Sequence, residues 1–230
     1  MKVVWTSSGR VSKNFVTDTM NFIPHSDRAG RRKIGRPLSF DRDAALGKAM
    51  LAFWAHGYET TSIGALTKAM GITAPSLYTA FGDKRRLFLE AARLYAGDMD
   101  AVGSGIDAAP SSLEAAREIL EGATVTFTGE HTPPGCLLAS STATGTAAAA
   151  DVREVVAGYR RDLRDLLAAR IERDMAEGVL PRDIEATVLA NLVISVMQGL
   201  SVMARDGANR DALQAVVDAA LHAWPSADQA

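Results

Sequence analysis

Apolar residues return every three or four positions along most of this 230-residue chain, the period of an α-helix with one buried face. No strand-like alternation, repeat or low-complexity segment competes with that pattern. A first helix is expected from Ser39 or Asp41 to about His56, with Leu46, Ala49, Met50 and Phe53 on one face and Gly57 ending it. Thr61 and Ser62 then offer side-chain oxygens to the free amides of a second, two-turn helix whose stripe is Ile63, Leu66 and Met70. Gly71 stops it, because glycine enters the left-handed region without steric cost. Thr73 caps a third short helix, in which Pro75 occupies the first turn, where a missing N–H costs nothing. Leu77 and Phe81 face inward there, and Ser76, Tyr78, Thr79 and Ala80 face elsewhere. Asp83 caps a fourth helix that opens with Lys84, Arg85 and Arg86 and carries Leu87, Phe88, Ala91, Leu94 and Tyr95 on its apolar side.

Beyond Tyr95 the pattern stays helical. Helices are expected from Ser111 to about Thr128, from Asp151 to Glu177, from Asp183 to Arg205 and from Asp211 to Trp224, with a small, apolar, hydroxyl-rich stretch from Cys136 to Ala150. The fold class is therefore all-α, with about nine helices. In the 183–205 helix Val188, Leu192, Val196, Leu200 and Met203 line one side while Leu189, Val193 and Met197 line another. A helix apolar on more than one side needs more than one partner. That row, with Leu213, Val217 and Leu221 of the last helix, is the expected surface for a second copy; completing the core of one copy is the alternative. Phe127, Cys136, Leu137, Tyr159 and Met197 are candidates to line an apolar pocket, with simple core packing as their alternative.

The net charge of −2 conceals a division. Through Asp98 there are 15 Lys and Arg against 8 Asp and Glu, whereas from Met99 onward there are 10 against 19. The basic part holds the short glycine-turned helix pair, and attraction to phosphate is a sequence-independent source of DNA affinity. Residues 1–34 show no sustained period and read as a disordered extension. Its last stretch is a basic arm of Arg28, Arg31, Arg32 and Lys33, continued by Arg36, which is either a solvated tail or an arm suited to following a backbone or entering a narrow minor groove. The expected organisation is this extension, a DNA-binding unit over 35–85 and a ligand-binding and dimerisation unit over 86–230.

Neither a membrane-length uninterrupted apolar run nor a secretory leader pattern is present, which makes the cytoplasm the expected location. A single cysteine, Cys136, rules out an intramolecular disulfide, and its apolar setting favours an inert thiol over a redox sensor. Four scattered histidines offer no metal-ligand spacing, and no phosphate-binding glycine loop or nucleophile with its base suggests an enzyme. Neither metal nor cofactor is expected.

Over about residues 35–95 the chain resembles the TetR family of transcriptional regulators. The resemblance rests on Gly57-Tyr58, Thr60-Thr61-Ser62-Ile63, Gly71-Ile72, Ser76-Leu77-Tyr78, Phe81 and Lys84, in the family's order and spacing. It implies an all-α homodimer with a DNA-binding head and a variable ligand-binding body. Carried over by position, the residues that would meet double-stranded DNA are Thr61 or Ser62, Thr73, Ala74, Ser76, Tyr78, Thr79 and Lys84. Arg36 joins them from the arm. Pro75 stands where many members have Gly, as in a subset with an Ala-Pro-Ser-Leu-Tyr signature, and Thr67 stands where Ala is common.

The resemblance implies a repressor released from a pseudo-palindromic operator by a small apolar effector. A rival reading is a helical ligand-binding or interaction protein without sequence-specific DNA binding. The absence of Arg, Asn and Gln from the third helix supports the rival, because those side chains read base edges most strongly.

Overall fold

A computed structural model describes residues 40–140 and 149–225. Among them are ten helical segments: α1 (Arg42–His56), α2 (Ile63–Met70), α3 (Ala74–Phe81), α4 (Lys84–Ala96), α5 (Met99–Ala108), α6 (Ser112–Phe127), α7 (Leu137–Ser140), α8 (Ala150–Ala176), α9 (Ala186–Arg205) and α10 (Arg210–His222). The described residues contain no strand. The basic arm with Arg36, and the segment 141–148, lie outside the described residues.

The four N-terminal helices begin and end for visible chemical reasons. Asp41, Ser62, Thr73 and Asp83 each accept a backbone N–H from the first turn they precede, which removes an unpaired donor from each helix start. Gly57 ends α1 at φ 82° and Gly71 ends α2 at φ 72°, in the positive-φ region that favours glycine. Leu66, Met70, Leu77 and Phe81 are buried, so the two short helices are held by packing onto α1 and α4 rather than by their own length. Phe53 meets Phe88 edge-on at 5.1 Å and Trp54 meets Tyr95 at 4.9 Å, which ties α1 to α4 through fully enclosed rings. Each such pair adds about 0.5–1.5 kcal/mol beyond its buried area.

The remaining helices form the body. α9 packs against α6, α8 and α10, while α5 and α6 lie on α8. The helix α5 was not foreseen from the pattern: Gly103, Ser104 and Gly105 weaken its stripe and its propensity. Its start is nevertheless capped by Asp98, and Gly103 lets Leu166 of α8 approach to where a Cβ would stand 3.0 Å away. α9 starts at Ala186, three residues later than expected, and Leu94 of α4 is 37% exposed rather than buried.

The expected dimer row is split by the structure. Leu200, Leu213 and Val217 are fully buried in the core of the single chain and Leu221 nearly so, because α6 covers the inner faces of α9 and α10. Those four are core residues. Val196 and Met203 pack partly on the same core, and only Val188 and Leu192 of the row face outward. By length and composition α9 could cross a membrane, yet its inner face is part of this core.

Candidate nucleic-acid interface

The third helix presents a polar outer side at a corner of the head. Thr73 accepts the Ser76 N–H, and the two hydroxyls lie 2.9 Å apart, so cap and first turn form one small hydroxyl cluster. Tyr78 is 49% exposed although Leu77 beside it is fully buried. Thr79 is exposed and its hydroxyl donates to the Pro75 carbonyl at 2.8 Å. Ala74 and Ser76 are half-buried at the start of the helix. These residues share one short element whose other side is locked into the core, which is the geometry that a major groove accepts.

Of the two adjacent hydroxyls expected at the start of α2, one turns inward. Thr61 is buried, and its hydroxyl donates to the Gly57 carbonyl at 2.5 Å, so it closes the α1–α2 turn from inside and leaves no group for DNA. Ser62 beside it is exposed and accepts the Ala65 N–H as the cap of α2. A hydroxyl at that spacing was legible, but which of two adjacent hydroxyls turns inward depends on the approach of the Gly57 turn.

Lys84 is held more tightly than a solvated lysine. Its Nζ donates to the Glu59 carbonyl at 3.2 Å and sits 4.8 Å from the centre of the Tyr58 ring. Burial pushes its ammonium below the ordinary 10.5, with Glu59 partly opposing that shift. Tyr58, itself packed on Phe53 and Phe88, is thus the platform that fixes the cation at the mouth of α4. Among the neighbouring cations, Arg86 is exposed 3.9 Å from Asp83, whereas Arg85 pairs with Asp151 of the body. Arg42, which periodicity alone did not mark, spans the head: it pairs with Glu90 at 2.6 Å and lies 4.4 Å from the Phe81 ring centre.

Head and body meet at a buried joint. The Trp54 Nε1–H donates to the Gly135 carbonyl at 2.8 Å, the Cys136 N–H donates to Ser201 Oγ at 2.8 Å, and Arg205 reaches the Trp54 and Cys136 carbonyls. Burial, with Cys136 beside it, raises the Tyr95 phenol well above its ordinary 10. Of the expected pocket residues, Phe127, Cys136 and Leu137 are core, and Tyr159 and Met197 pack at its edge. None of the five lines either of two open clefts: one of about 440 Å³ between α6 and the end of α10, or one of about 270 Å³ between α8 and α9.

A short helix held by a glycine turn on a compact head, carried by a larger helical body, defines a helix-turn-helix regulator. Residues 46–91 match the family model described as bacterial regulatory proteins, tetR family, and residues 112–220 match the tetracyclin repressor-like C-terminal domain. The chain is 33% identical over 206 residues to the HTH-type transcriptional repressor ComR of Escherichia coli (strain K12), covering 87% of this chain and 96% of that protein. A cysteine-substituted form of the TetR family transcriptional regulator CifR, solved with 26-base-pair double-strand operator DNA, is 42% identical with a TM-score of 0.77; the match covers 83% of this chain and 100% of that one. A TetR transcriptional regulator from Chloroflexus aurantiacus J-10-fl, 20% identical, shares the fold at a TM-score of 0.69 over 79% of this chain and 92% of its own. The chain belongs to the TetR family, a family of DNA-binding transcriptional regulators rather than an enzyme class.

Proposed function

We propose that this protein is a ligand-responsive transcriptional repressor that binds a pseudo-palindromic operator as a homodimer in the cytoplasm. The observation that carries this reading is the outward row of Thr73, the cap of α3, with Tyr78 and Thr79 on that helix, flanked by Ser62 and by Lys84 held on Tyr58 and the Glu59 carbonyl. Tyr78 and the hydroxyl cluster suit phosphate oxygens, and such contacts set register on the duplex. With the Thr79 hydroxyl already occupied by Pro75, the methyls of Thr79 and Ala74 are the groups left to meet thymine. Base reading by α3 is therefore weak, and DNA shape and a second half-site supply the remaining specificity. We read the Ala74-Pro75-Ser76-Leu77-Tyr78 run as the signature of a subset of the family, with Arg36 extending the contact through the basic arm.

Residues 35–85 act as the DNA-binding unit and 86–230 as the effector and dimer unit. Val188, Leu192 and Val202 stand on one side of α9 at 58%, 51% and 57% exposure, an apolar stripe that a second copy would cover. An effector favouring one arrangement of the body would alter the spacing of the two heads through a coupling of about 1–3 kcal/mol. A mobility-shift assay on the gene's own upstream intergenic DNA tests the reading: salt-sensitive retardation by the purified dimer supports it. Its absence leaves a helical binding protein without operator recognition.

A further inference from the structure

Two rows of side chains meet where α8 lies against α9, and both are mainly polar. Ala157, Arg160, Arg161 and Arg164 form the first, stepping i, i+3, i+4, i+7 along one helix face. Asn191, Ile194, Ser195 and Gln198 form the second with the same step, and the rows enclose the open cleft of about 270 Å³. Arg161, Asn191 and Ser195 are exposed and the other lining residues half-buried, so the rows edge an open groove on the surface of the helix pair. The groove carries three guanidinium groups, two carboxamides and a hydroxyl.

The charge is one-sided. Among the described residues no carboxylate lines the cleft, although from Met99 onward the chain has 19 acidic against 10 basic residues. Three of those ten cations therefore converge at one place in an acidic body. Existing partners leave them available. Arg161 pairs with Glu154 and Arg164 with Asp165, each at 2.6 Å, but those acids are 71% and 62% exposed, and exposed pairs hold their partners weakly. Arg160, half-buried in the seam, makes no ion pair with a described residue.

We propose that this cleft is a binding site for a small oxyanion of the phosphate or carboxylate class. Guanidinium forks present paired donors that match two oxygens of such a group, and the amides and Ser195 would satisfy the rest. The volume suits a phosphate group or a small di- or tricarboxylate and is below that of drug-sized ligand sites. Asn191, Ser195 and Gln198 adjoin the exposed Val188, Leu192 and Val202 stripe on the same helix, so an anion bound here lies at the rim of the proposed dimer face.

Isothermal titration of the full chain with sodium phosphate, and separately with citrate, at constant ionic strength set by chloride, tests the assignment. Saturable binding of at least one anion is expected. Arg160→Ala and Arg164→Ala should each weaken it at least tenfold, Arg160→Lys should weaken it less, and Arg182→Ala, away from the cleft, should leave it unchanged. Circular dichroism of each variant separates lost binding from lost fold, and Ser195→Ala provides a second test from α9. Binding of neither anion, or affinity unchanged in both arginine variants, overturns the proposal. So does a dimer dissociation constant altered by Arg160→Ala with no anion dependence, which would give the cleft to the partner's side chains. Because the titration contains no DNA, its failure and the failure of operator binding are separate results.

Discussion

Arg85 at the start of α4 pairs with Asp151 at the start of α8, joining head to body one residue from Lys84. The pair competes with DNA phosphate for one of the three cations that open α4. The Arg85 hydrogen bond holds the Asp151 carboxyl below its ordinary 3.8, so the pair is intact at neutral pH and is lost only as pH falls through that lowered value. Asp151→Asn should therefore free Arg85 and increase affinity for all DNA sequences. The slope of log affinity against log salt should steepen by about one unit. Fluorescence anisotropy across a salt series reads this directly, and an unchanged slope would show that Arg85 does not reach a phosphate.

Lys84→Ala should act in the opposite direction. Removing a cation already fixed by Tyr58 and the Glu59 carbonyl should shallow the salt slope by about one unit and weaken operator and non-operator DNA alike. Loss confined to the operator would instead give Lys84 a role in base reading.

Gly135→Ala tests the buried joint. Gly135 sits at φ 75°, and a Cβ there would lie 2.7 Å from the Ser201 carbonyl oxygen and 2.8 Å from Arg205 Nε. Strain at positive φ together with that backbone clash should destabilise the chain by roughly 2–4 kcal/mol in urea denaturation. A loss below about 0.5 kcal/mol would mean that the Gly135 turn yields easily and that Trp54 is not held as described.

Leu192→Arg should dissociate the dimer. Leu192 is 51% exposed in the single chain, so the charge costs little in the monomer but is unpaired in an apolar interface. Sedimentation should then show monomer with an unchanged helical spectrum. Dimer of wild-type affinity would move the interface off this face.

Glu118 of α6 offers a test by pH. Burial, with Glu114 and Glu121 nearby, raises its carboxyl above the ordinary 4.5, and one of its oxygens is buried without a partner. A carboxyl raised in the folded state is a liability at neutral pH, and that liability fades as pH falls through the raised value toward 4.5. Glu118→Gln should melt higher than wild type at neutral pH, with the gap closing in acid. A constant gap would locate its origin in packing rather than in charge.

The head was largely legible from sequence because its limits are local. Asp41, Ser62, Thr73 and Asp83 cap helices, and Gly57 and Gly71 end them, by bonds spanning only a few residues. What escaped depended on distant neighbours. The inward turn of Thr61 needed the Gly57 carbonyl, and the hold on Lys84 needed Tyr58 pressed on Phe88. In α9 the sequence shows apolar residues on two sides, but only the position of α6 decides that Leu200 is core and Leu192 is surface. α5 escaped because glycines erased the stripe on which its detection depended, although Asp98 marked its start.

The central claim is that α3 enters the major groove of an operator read by two heads. Hydroxyl-radical footprinting of the purified dimer on its upstream intergenic DNA measures this most directly. Two protected half-sites related by a two-fold, about one helical turn apart, are predicted, with protection lost at high salt and weakened by Tyr78→Phe. Uniform protection without half-sites, or no protection at any salt concentration, would contradict it.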